Sequence, residues 1–215
     1  MTGTGPALRL ALRDLYANSW RLLPINAALG AVLVAVGVAA FAVRAAVVLV
    51  VLAGPVAAAL VHCAVTLVRT GSLAFADARD GLLLHWRRGL LLGAGGSAFV
   101  FFGGLAVRFY SRSPLLFPLA FLTLYLALMF ALYQLVLWVL AIAEPGRPLR
   151  VSAREAAVLV ARRPGSTLLL GLALLLVNVA GIAAAVMPFL TLTLAYSFVA
   201  AAYFALPTST LEDRV

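Results

Sequence analysis

Lysine is absent from this chain of 215 residues; all sixteen of its basic residues are arginine. Charge of either sign is scarce, at 11% of residues, where a soluble domain carries roughly a quarter. A water-soluble fold is thereby excluded, because too few polar groups remain to cover its surface. Cysteine occurs once, as Cys63, so no disulfide can form within the chain. The two histidines, His62 and His85, stand far apart in sequence and match no metal-ligand spacing. None of the seven acids falls inside an apolar run. That removes the intramembrane carboxylate on which proton relays usually depend.

What is present is apolar. Hydrophobic residues make up 65% of the chain, and mean hydropathy is +1.13. They gather into six runs: 22–43, 47–68, 89–107, 114–143, 167–187 and 189–206. Runs of about 20 residues at ~1.5 Å per residue cross the ~30 Å of bilayer hydrocarbon. The fourth is longer and is expected to tilt. The turns are expected at Arg44, the single charge between runs one and two, and at Met187-Pro188, where proline interrupts a helix. The first run is too long for the apolar core of a cleavable signal. The expected fold is all-α: one polytopic transmembrane helical bundle over residues 1–215.

Arginine placement gives an orientation. With the N-terminus inside, thirteen arginines lie on the inner side and only Arg44, Arg108 and Arg112 on the outer. The positive-inside rule then puts both termini in the cytoplasm, beneath a plasma membrane. Because the arginines separate apolar runs instead of sharing one polar face, nucleic acid is not the expected partner. Arginine-only basicity with abundant alanine is associated with GC-rich, bacterial genomes.

The inner segments have helical patterning of their own. Leu8, Leu12, Leu15, Tyr16 and Trp20 recur at helical spacing beside Arg9 and Arg13. Residues 73–88 have the same mixed character. Ser152 and Glu155 form a capping-box pattern that predicts a helix start just before Ala156. These read as three amphipathic helices at the inner interface, each leading into a span. They also repeat. Asp14 is followed seven residues on by Arg21, Asp80 by Arg87 and Glu155 by Arg162, and each acid is preceded by arginine. Three units are expected, roughly 8–68, 73–143 and 152–206, each an interfacial helix plus a transmembrane hairpin. Asp14, Arg21, Asp80, Arg87, Glu155 and Arg162 are candidates for a charge ring at the inner surface, with acids bridging to arginines of a neighbouring unit.

Four stretches carry a family resemblance: Tyr16-Ala17-Asn18-Ser19-Trp20-Arg21, Gly54-Pro55-Val56-Ala57-Ala58-Ala59-Leu60, Asp80 to Gly89 with His85-Trp86-Arg87-Arg88, and Ala161-Arg162-Arg163-Pro164 running into Leu168-Leu169-Leu170-Gly171-Leu172. Together they resemble the YesL-like family of small bacterial integral membrane proteins, over nearly the whole chain. Leu52-Ala53 stands before the Gly-Pro where that family leads one to expect a nearby threonine. The resemblance implies six spans and an association with carbohydrate uptake systems. It supplies no catalytic residues.

Polar residues within spans are costly and so are candidates for function. Asn26, His62, Gln134 and Asn178 form the candidate intramembrane polar site, with Thr66 and Ser97 beside them in the runs. The competing reading is hydrogen bonding between helices. Gly93, Gly95, Gly96, Gly103 and Gly104 predict close helix packing in the third run. Gly54-Pro55 either kinks the second run or marks the start of its regular helix. Trp20, Trp86, Tyr16 and Tyr110 suit interfacial belts. The arginine pairs at 87–88 and 162–163 suit anionic lipid headgroups at the inner face. No nucleophile–base arrangement, metal set or nucleotide motif is apparent, so the chain reads as non-enzymatic and without a cofactor. Three functions remain: an accessory or regulatory component of a solute uptake system, partnered by transporter subunits; a transporter or channel in its own right; and, least favoured, an enzyme acting on lipid-linked substrates.

Overall fold

In a computed structural model, residues 3–42, 51–183 and 192–206 are described. The described residues form seven helices: α1 (Thr4–Ala42), α2 (Gly54–Thr70), α3 (Phe75–Tyr110), α4 (Phe117–Ala143), α5 (Leu149–Arg162), α6 (Pro164–Ala183) and α7 (Leu194–Ala205). Five stretches are long and apolar enough to cross a membrane: Thr4–Val36, Val51–Thr70, Phe75–Tyr110, Phe117–Ala143 and Pro164–Ala183. The chain is an all-helical membrane protein. The sixth expected span is represented by α7, whose 12 residues rise only ~18 Å; positions 189–191 of that run lie outside the described residues. So do the expected turns at Arg44 and Met187-Pro188.

The interfacial helices depart most from expectation. Residues 73–88 do not form a separate element. α3 runs unbroken for 36 residues, about 54 Å, which is well beyond a bilayer's hydrocarbon. A change from polar to apolar side chains does not interrupt backbone hydrogen bonds, and no proline stands in α3 to do so. α1 bends at Asn18, whose backbone leaves the helical region (φ −117°, ψ 15°), six residues before Pro24, which stands inside the helix and has no amide hydrogen to donate. Only the third segment separates. α5 stops at Arg162, Arg163 is non-helical, and Pro164 opens α6, since proline restricts the residue before it. α5 also starts earlier than expected. The amides of Val151 and Ser152 donate to Pro148 O at 2.9 and 3.4 Å, so the helix begins at Leu149. The predicted capping box is not used: Ser152 is buried without a partner for its hydroxyl, and Glu155 pairs with Arg147 at 2.5 Å.

α2 and α7 make the centre. From Val199 to Leu206 every residue of α7 is buried, as is most of α2. Small residues allow the helices this proximity. Gly54 meets Gly89 and Gly93 of α3 backbone to backbone: a Cβ on Gly89 would lie 2.6 Å from Gly54 O, and one on Gly93 3.2 Å from Gly54 Cα. Gly54-Pro55 opens α2, with proline at its first turn, and so is a helix start. The expected glycine packing holds for Gly93 but not for Gly103 and Gly104, which have nothing within 4 Å of a built Cβ. α2 ends at Gly71 in the left-handed region (φ 76°), with its amide donating to Leu67 O at 2.8 Å. The outside of the bundle is apolar: Leu105, Phe121, Leu122, Leu172 and Leu176 are all exposed, as lipid-facing surfaces require.

Candidate functional site

The four intramembrane polar candidates do not converge on one site. Two of them meet at the first turn of α7. Asn26, fully buried on α1, accepts from the Ala195 amide at 2.5 Å. Asn178 of α6 donates to Ser197 Oγ at 2.7 Å and to its own helix at Leu174 O, 2.8 Å. Ser197 in turn donates to Thr193 O at 2.8 Å. The opening amides of a helix have no partner of their own, and Asn26 satisfies one. These contacts tie α1, α6 and α7 together.

α1 holds α7 at further points, one near its other end and one in the same first turn. The Tyr203 hydroxyl donates to the Asp14 carboxylate in a buried contact, and Tyr196 donates to Leu8 O at 3.2 Å. Asn18, at the bend of α1, returns its side chain to Asp14 O at 3.1 Å. The two halves of α1 thus flank α7, one through Leu8 and Asp14, the other through Asn26. The buried face of the first half is Ala7, Ala11, Asp14, Leu15 and Asn18, while Leu12, Tyr16 and Trp20 are exposed. The apolar stripe read from the sequence is therefore divided: Leu15 packs inward, and Leu12, Tyr16 and Trp20 face outward.

The charge-ring candidates have other partners. Among the described residues, ion pairs join Arg13 to Asp14 at 3.4 Å, and Arg147 to Glu144 and Glu155 at 2.9 and 2.5 Å. None links an acid of the expected ring to an arginine of a neighbouring unit. Arg21 donates to Leu73 O and lies over the Trp20 ring at 4.8 Å; Arg87 lies over Trp86 at 5.1 Å. Asp80, Glu155 and Arg162 are exposed. Arg88, expected among anionic headgroups, is turned to backbone instead. Its guanidinium donates to four carbonyls where α4 ends: Ala141 O at 2.7 Å, Glu144 O at 3.0 Å, Arg147 O at 2.7 Å, and Pro145 O. It satisfies the orphan carbonyls of a helix C-terminus. Arg21 does the same kind of work where α2 gives way to α3.

Gln134 faces a cleft of about 740 Å³ between α3 and α4, lined by Phe99, Gly103, Gly104, Phe130 and Trp138, with Arg108 at its rim. A smaller space of about 270 Å³ adjoins it through Gly96 and Trp138 and includes Ser97. Gln134 Oε1 and Ser97 Oγ are buried and have no hydrogen-bond partner among the described residues. His62 lies elsewhere, on α2, with its ring centre 5.2 Å from that of His85 on α3. No family model, curated protein or solved structure matches this chain.

Proposed function

We propose that the chain is a non-enzymatic integral membrane protein of a bacterial plasma membrane that assists or regulates a solute uptake system. The resemblance noted above makes carbohydrate the expected solute. In this reading both termini are cytoplasmic, and the arginines near α5 rest among anionic headgroups.

One observation carries the proposal. Among the described residues, Asn26, Asn178 and Ser197 hold α1, α6 and α7 together, with only Asn178 Oδ1 and Thr193 Oγ1 left unpaired there, whereas Gln134 and Ser97 make no such bond and leave polar atoms unpaired beside the open cleft between α3 and α4. A through-pathway would use the centre, which α2 and α7 fill. A lateral cleft with an unsatisfied amide suits the helix of a partner subunit, because polar groups in hydrocarbon gain most from a partner. The test is capture from native membranes in polymer-bounded lipid discs, followed by mass spectrometry, beside flux measurements on reconstituted vesicles. Recovery of transporter subunits by the unaltered chain and their loss on Gln134→Leu supports the reading. Solute flux through the purified chain alone would replace it with the transporter reading.

A further inference from the structure

We propose that His62 and His85 form a binding site for a divalent transition-metal ion, zinc foremost, between α2 and α3, completed by water or an incoming ligand. α2 and α3 form an antiparallel hairpin around the turn at Gly71, so residues distant in sequence come to face each other. These are the only two histidines in the chain.

His85 is 1% exposed, and neither of its ring nitrogens has a hydrogen-bond partner. Buried polar groups are bonded in the great majority of cases. A metal ion would take up the lone pair of the unprotonated ring nitrogen. The spacing fits such an ion. Metal–nitrogen bonds of ~2.0–2.1 Å put each ring centre ~3.2 Å from the metal, and two arms at the tetrahedral angle hold the centres ~5.2 Å apart. The observed separation is 5.2 Å, with 44° between the ring planes. Gly81 makes room for this. It stands one turn before His85 on the same face of α3, and a Cβ there would lie 2.8 Å from His62 Cβ and 3.0 Å from its Cδ2.

The surrounding charge is mixed. Asp77 and Asp80 precede His85 on α3, Arg88 follows it by three residues, and Arg69 stands near the end of α2. The Arg88 guanidinium is bound to the carbonyls at the end of α4. No group of three or more His, Cys, Asp or Glu donors gathers among the described residues. The protein therefore supplies two ligands, and two tetrahedral positions stay open, as in an exchangeable rather than a closed structural site.

The test uses the full chain in detergent, purified through a tag free of histidine and stripped with chelator. Zinc is titrated against a fluorescent competitor. The expected result is one zinc per chain, weakened tenfold or more by His62→Asn and by His85→Leu, with helical content and elution volume unchanged. X-ray absorption at the zinc edge of the unaltered chain, expected to give two imidazole neighbours, decides the matter if either variant fails to fold. Zinc held no more tightly by the unaltered chain than by the double variant, or a zinc spectrum without two imidazoles, overturns the proposal and leaves the pair as packing between two helices.

Discussion

A single methyl group at Gly89 is expected to weaken the bundle at its tightest crossing. In Gly89→Ala the new Cβ would lie 2.6 Å from Gly54 O, 2.8 Å from Gly54 C and 2.9 Å from Pro55 Cα. All three atoms are backbone, so no rotamer change relieves the clash. The helices must part by roughly 0.8 Å to reach ordinary van der Waals separation, a gap that forfeits about a quarter to a half of each dispersion contact along the crossing. Overpacking of this kind costs about 1–3 kcal/mol. Alanine's better helix propensity returns at most ~1 kcal/mol. A net loss of about 1–2 kcal/mol is expected. Gly103→Ala is the control, since a Cβ there meets nothing within 4 Å; it keeps only the propensity term and is expected to be neutral or slightly stabilising. The assay is reversible unfolding in mixed detergent micelles with increasing dodecyl sulfate, followed by tryptophan fluorescence. If Gly89→Ala unfolds at the same detergent fraction as the unaltered chain, or if Gly103→Ala is the more harmful of the two, the argued α2–α3 crossing is wrong.

Other substitutions probe the remaining joints. Asn26→Leu leaves the Ala195 amide without its acceptor and is expected to cost about 1–3 kcal/mol, whereas Asn178→Ala removes an interhelical bond of about 0.6 kcal/mol; the same unfolding assay ranks them. Arg88→Leu uncouples α3 from the carbonyls that end α4, and limited proteolysis is expected to cut faster within residues 144–148. Charge reversal at Asp80 is expected to go unrescued by reversal at Arg21 or Arg162, because no ion pair joins these residues; recovery in a double-mutant cycle would restore the ring.

The helical membrane class was legible because it depends on length and hydropathy alone, and five of the six apolar runs contain helices long enough to span. Boundaries were less legible. The interfacial segments looked separate because their side chains change character near Trp20 and Trp86, but the backbone departs from the helix only in the two segments followed by proline, at Asn18 before Pro24 and at Arg163 before Pro164. α1 bends at Asn18, six residues before Pro24, and the Tyr203–Asp14 contact, distant in sequence, pins the segment on the near side of that bend. The four polar candidates stand out in the sequence as costly, yet which of them meet is decided by how the helices pack. The His62–His85 pair was invisible to ligand-spacing rules, which assume donors on one helix or loop. Its signal was the hairpin about Gly71, which sets His62 against Gly81, one helical turn before His85. Arg88 gave no signal in the sequence beyond its neighbour Arg87.

The measurement that bears most directly on the central claim is spin-label accessibility in lipid vesicles, with Cys63 replaced by alanine. Labels go singly at Leu105, Leu122 and Leu176 on the outward faces, and at Val65 and Ala201 in α2 and α7. The outward labels are expected to relax strongly with oxygen and hardly at all with a water-soluble nickel complex, and the central labels weakly with both. Strong relaxation of Val65 or Ala201 by the nickel complex would mean that water enters the centre of the bundle, and the packed centre on which this account rests would be contradicted.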